Sequence, residues 1–99
     1  MNAVRKYELQ VVDFQQVGVP AGSKILSCQM QHTRGPEFDK LMLWVLVEEP
    51  QLGDLPRDGE VLNIHICGTG PPIHNADKLH YISTVQSQGF VGHVFQKLS

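Results

Sequence analysis

The sequence predicts an all-β domain, a small antiparallel β-sandwich or barrel-like fold of about six to seven strands. Three observations carry that expectation. Apolar and polar residues alternate with period two over several short segments, and helical periodicity is scarce. Leu41 to Val47 (LMLWVLV) is apolar throughout, too short for a core helix and rich in strand formers. Clusters of Gly, Pro and Ser punctuate the chain between these segments.

Taken in order, Tyr7, Leu9 and Val11 alternate with Lys6, Glu8 and Gln10, the pattern of an amphipathic first strand. A second short strand covers Phe14 to Val19. Pro20-Ala21-Gly22-Ser23 then supplies a turn, with Pro fixing φ and Gly free to take a positive value. Ile25 to Gln31 alternates again, with Leu26, Cys28 and Met30 on one face and Ser27, Gln29 and Gln31 on the other. Gly35-Pro36 ends it. Leu41 to Val47 follows, and a strand apolar on both sides is one covered on both faces, the second cover being another subunit. Trp44 lies within this run and reads as core more readily than as a stacking surface.

Pro50 to Gly59 is a loop. Val61 to Cys67 places Leu62, Ile64 and Ile66 inward and Asn63, His65 and Cys67 outward, until Gly68-Thr69-Gly70-Pro71-Pro72 stops it. Ile73 to Leu79 has room for one helical turn capped by Asn75 or Asp77. Tyr81 to Gln86 and Phe90 to Phe95 are the last strands, a hairpin joined across Ser87-Gln88-Gly89.

The 99 residues make one domain, 1–99. A chain this size buries only about 60–70% of the surface its unfolded form exposes, so self-association would add stability. No apolar run approaches the ~18 residues of a membrane span. Met1 to Lys6 leads into no signal-like apolar stretch, so a cytoplasmic setting is expected.

Net charge is −2, which argues against a duplex-binding protein. Five acids (Glu48, Glu49, Asp54, Asp58, Glu60) stand against Arg57 in 48–60, giving −4 there and +2 elsewhere. That division suits a small anion better than a long nucleic acid, and an ordinary solvated loop is the plainer reading. Cys28 and Cys67 lack CxxC spacing and read as packing residues. The five histidines (His32, His65, His74, His80, His93) show no HExxH or HxxxH pair, so no metal or cofactor is expected. His93 alternates with Val91 and Phe95 and reads as a satisfied, largely buried histidine. No nucleophile, base and orienting group are spaced as an active site needs, so no enzymatic activity is expected.

Gly68-Thr69-Gly70 offers backbone N–H groups and a hydroxyl to an anion, although Pro71 and Pro72 remove donors; a plain strand-ending turn fits as well. Tyr81 and Trp44 are candidate stacking surfaces. His74 and Lys78 are candidates for charge or hydrogen bonds, as is Arg57 from the acidic loop.

The segments KYEL, PAGSKILSCQMQ, LWVLV, IHICGTGPPI, YISTVQ and GFVGHVF together resemble a family of small tailed-phage proteins with no assigned activity. The resemblance spans nearly the whole chain. Pro71 stands where that family often has histidine, and Ser23 where it often has alanine. Phage proteins of this size and type include the anti-CBASS and anti-Thoeris sponges, which sequester cyclic nucleotide immune signals as homo-oligomers without cleaving them. By that analogy the chain is a sponge in the host bacterial cytoplasm. The alternative is a protein-interaction module or host-enzyme inhibitor that docks through the acidic 48–60 loop.

Overall fold

The computed structural model describes residues 2–32, 39–49 and 59–98. Seven strands run through them: β1 (Asn2–Leu9), β2 (Phe14–Pro20), β3 (Lys24–Gln31), β4 (Lys40–Glu48), β5 (Gly59–Cys67), β6 (Leu79–Ser87) and β7 (Phe90–Lys97). They form a three-stranded sheet, ordered β1-β4-β3, and a four-stranded sheet, ordered β2-β5-β7-β6. Every pairing is antiparallel. The expected fold class holds.

One core lies between the sheets. Leu41, Leu43, Val45 and Val47 from β4 meet Leu62, Ile64 and Ile66 from β5, with Val85 and Val94 from the last hairpin. The alternation read for β5 is observed, since those three residues are buried while Asn63, His65 and Cys67 face away. Gly92 is buried at the same level because the Phe90 ring occupies the space a side chain would need, 2.7 Å from the position of a Cβ. Cys28 is fully buried, and that burial pushes its thiol up to about 11, outweighing the opposing pull of the Ser83 hydroxyl.

Three expectations about facing are corrected. Leu26 is the extra residue of a bulge between the Ile25–Val45 and Ser27–Trp44 pairs, so it is 47% exposed and Ile25 takes the inward place. Val11 lies beyond the end of β1 and is 56% exposed. Trp44 is not core. Its strand has two apolar faces, and Trp44 shares the outer one with Met42 and Leu46, half-buried, with the Lys6 ammonium 5.8 Å from its ring centre.

The turns follow their residue types. Ser23 N–H donates to the Pro20 carbonyl, with Gly22 at φ 81° in the third position, where a type II turn requires a positive value. Gln88 (φ 48°) and Gly89 (φ 80°) make the two-residue hairpin loop, the positive pair of a type I′ turn. Asn75 does precede a short 3-10 turn, Ala76–Lys78, but in the left-handed conformation and without a side-chain cap; its carbonyl accepts from Lys78 N–H instead. Between the sheets, the Gln15 amide both donates to and accepts from the Gln10 backbone, bracing the corner from β1 to β2. At the start of β4, the Asp39 carboxylate accepts from the Ser87 hydroxyl and lies 2.8 Å from His32 Nδ1. The Ser87 bond, with His32, lowers the Asp39 pKa against the opposing effect of burial.

Candidate functional site

The four-stranded sheet carries a feature that comes from register alone. Phe14 on β2 stands opposite His65 on β5, His65 opposite Phe95 on β7, and Phe95 opposite Tyr81 on β6. Residues opposite one another share a face. Four rings therefore cross the whole outer face in one row. Phe14 and His65 have centroids 5.0 Å apart at a tilt of 59°, and Tyr81 meets Phe95 edge-on at 5.7 Å. Phe14 and Tyr81, at the ends, are the exposed members. His65 Nε2 is buried in the row and has no hydrogen-bond partner among the described residues.

One register step along, Cys67, His93 and Thr84 stand opposite one another in turn. A hydrogen-bonded chain links this second row to the first and to the glycine loop. Tyr81 Oη lies 2.7 Å from Thr84 Oγ1, Thr84 Oγ1 lies 3.0 Å from His93 Nδ1, and His93 Nε2 lies 2.7 Å from Thr69 Oγ1. A neutral imidazole with one donor and one acceptor satisfies the chain in either direction, provided all the hydroxyls turn together. His93 is thus satisfied, as its alternation suggested. It is only half-buried, however, because Val91, His93 and Phe95 face outward while Gly92 and Val94 face the core.

The predicted site residues divide. Thr69 and Tyr81 are brought together through Thr84 and His93. Gly68 and Gly70 flank Thr69 on an exposed loop. Gly70, at φ 106°, needs to be glycine; Gly68 has open space where a side chain would go, so no close approach explains it. His74 and Lys78 are exposed on the segment from this loop to β6. Trp44 is on the opposite side of the molecule, on the outer face of the other sheet, and cannot stack on a ligand held by Tyr81 of the same chain. Arg57 lies outside the described residues, as does 50–58 of the acidic stretch. Within its described part, Arg5 pairs with Glu49, which ties one of the acids down.

Phe14, His65, Phe95, Thr84 and His93 were missed as a set. Their outward parity was readable strand by strand, but the row exists only because β5 sits between β2 and β7, an order that the chain does not follow. Among the described residues, no group of three metal-ligating side chains converges.

The whole chain, residues 1–99, matches the model of a domain family described as a domain of unknown function, DUF7352, and the chain belongs to that family. No curated protein matches it, and no solved structure does.

Proposed function

We propose that this member of the DUF7352 family is a nucleotide-binding protein that holds its ligand without cleaving it, a sponge for a cyclic nucleotide signal. The row Phe14–His65–Phe95–Tyr81 is the observation that carries this reading. Every nucleobase has a π-face, and aromatic side chains spread across a sheet are the surface on which bases stack. Beside the row, the Tyr81–Thr84–His93–Thr69 chain offers hydroxyls and an imidazole to the polar edge of a base. The setting implied by the phage resemblance is the cytoplasm of an infected bacterium, where holding such a signal blocks defence.

The same reading includes a homo-oligomer. Half-buried Trp44 and Leu46, with exposed Val4 opposite Leu46, form an apolar strip on the outer face of the three-stranded sheet, next to Met42, which is buried. A second copy laid on that strip completes the cover of the doubly apolar β4, whose Trp44 and Leu46 are only half-buried. A protein-interaction role would use this strip or the acidic 48–60 stretch, of which Glu49 pairs with Arg5.

A thermal-shift screen against cyclic di- and trinucleotides and cyclic ADP-ribose isomers tests the reading. A ligand at about 100 times its Kd adds roughly 2.7 kcal/mol to the folded state. A shift with the ligand recovered intact on denaturation is the expected result. Recovery of an altered ligand would replace the sponge by an enzyme, and no shift across the panel would remove these ligands from consideration.

A further inference from the structure

A second bulge matches the one in β3. On β6, Ile82 is the extra residue between the Tyr81–Phe95 and Ser83–Val94 pairs. β3 and β6 belong to different sheets but run together along one side of the sandwich, where the Ser83 hydroxyl donates to the Cys28 carbonyl. Beside that link the two bulged segments face each other across a cleft of about 400 Å³, with Leu26 and Ile82 both in its walls. Bulges re-aim side chains, and two in opposition leave a gap that straight strands would close.

The lining of this cleft breaks the pattern of the sheet that forms its floor. Gln96 stands opposite Ile64, which is fully buried, so half-buried Gln96 and its other partner, exposed His80, lie on the core side of the sheet at the open end of the sandwich. Elsewhere that side carries mostly apolar residues, Leu62, Ile66, Val85 and Val94, with Gln15 opposite Ile64 and Ser83 opposite Val94 among its polar members. Polar side chains at core-facing positions mark places where a sequence departs from packing for another purpose. Lys24 reaches the same cleft from the edge of the three-stranded sheet, where it stands opposite Leu46, and makes no ion pair among the described residues. Lys24, His80 and Gln96 all line the cleft, and among the described residues no carboxylate does. That is the chemistry of an anion site, in the size range of small-molecule pockets.

We propose that the cleft between the β3 and β6 bulges binds the phosphate of a nucleotide through Lys24, His80 and Gln96. This deepens the function proposed above and rests on it for the identity of the anion. Tyr81 joins the two places, since it ends the aromatic row and also lines the cleft. β6 is the edge strand of its sheet, so a nucleotide wraps that edge with its base on the row and its phosphate in the cleft.

Titration calorimetry with pyrophosphate, adenosine monophosphate and adenosine separates the parts, using the intact protein and its Lys24→Gln/His80→Gln and Phe95→Leu variants. Melting curves establish that each variant is folded. Pyrophosphate and the monophosphate are expected to bind the intact protein and to lose at least about tenfold in affinity in the double variant, a loss of about 1.4 kcal/mol. Adenosine should be indifferent to that change and weakened by Phe95→Leu. Absence of pyrophosphate binding, or unchanged affinity in the double variant, would overturn the anion site. Pyrophosphate binding that depends on Lys24 and His80, with no adenosine binding, would uphold the cleft and reject base stacking on the row.

Discussion

The two outer faces of this sandwich carry aromatic residues for different ends. On the three-stranded sheet, Trp44 stands between Met42 and Leu46 on one strand, flanked by Lys6 and Glu8 from β1. On the four-stranded sheet, the rings come one from each strand and are linked by Tyr81 to a hydrogen-bonded chain. A strip along one strand has the shape of a protein contact, apolar at the centre with charge at the rim. A row across strands, with hydroxyls and an imidazole beside it, has the shape and polarity of a planar ligand. Aromatic content alone would not tell these surfaces apart; direction relative to the strands does.

The largest change removes the support both faces share. Leu43, fully exposed to neither face and buried at the centre of β4, should cost about 2–5 kcal/mol as Leu43→Ala, read by urea denaturation. Both ligand binding and self-association should then fall together. That core was legible in the sequence because period two assigns Leu62, Ile64 and Ile66 to one side without knowledge of the partner strands. Trp44 was not, since a run apolar at every position gives no parity by which to choose a face. Nor were the bulges at Leu26 and Ile82, because an inserted residue of ordinary type looks like any other strand residue until its neighbours are paired. The aromatic row was hidden for a related reason: Phe14 and His65 are adjacent only through sheet order.

A paired substitution sharpens the contrast itself. Phe95→Ser should weaken nucleotide binding by about 5- to 150-fold, the equivalent of roughly 1–3 kcal/mol for one stacked base, and leave the oligomeric state unchanged. Trp44→Ser should do the reverse, dissociating the oligomer in sedimentation velocity while ligand affinity measured per chain persists. Equal effects of both substitutions on both readouts would erase the distinction between the faces.

A smaller effect is expected within the row. His65→Phe removes a buried nitrogen that has no partner among the described residues and should raise stability by about 1 kcal/mol in thermal unfolding. The row stays continuous, so stacking should survive. If stability falls instead, the imidazole has a role that the row geometry does not account for.

The last prediction lies away from both faces and serves as their control. The folded Asp39 carboxyl titrates below its ordinary value of 3.8, so it stabilises the fold above that value and loses its contribution as pH falls through the lower, folded one. Asp39→Asn should reduce stability at neutral pH and flatten the acid limb of a pH–stability curve below about 4. Neither ligand affinity nor oligomeric state should follow it.

Fastening the β3–β6 seam to the backbone of a buried cysteine gives the molecule a chemical clock. Thiol reagents meet half-exposed Cys67 first, on the outer face. Cys28 waits, its thiol protonated and enclosed, until the sheets part along that seam. The slow labelling phase therefore reports how often the structure opens around Cys28. An anion gripped by both walls of the bulge cleft has to be released before the seam opens, and it slows the clock. A base resting on the outer row alone crosses no seam and leaves the clock running.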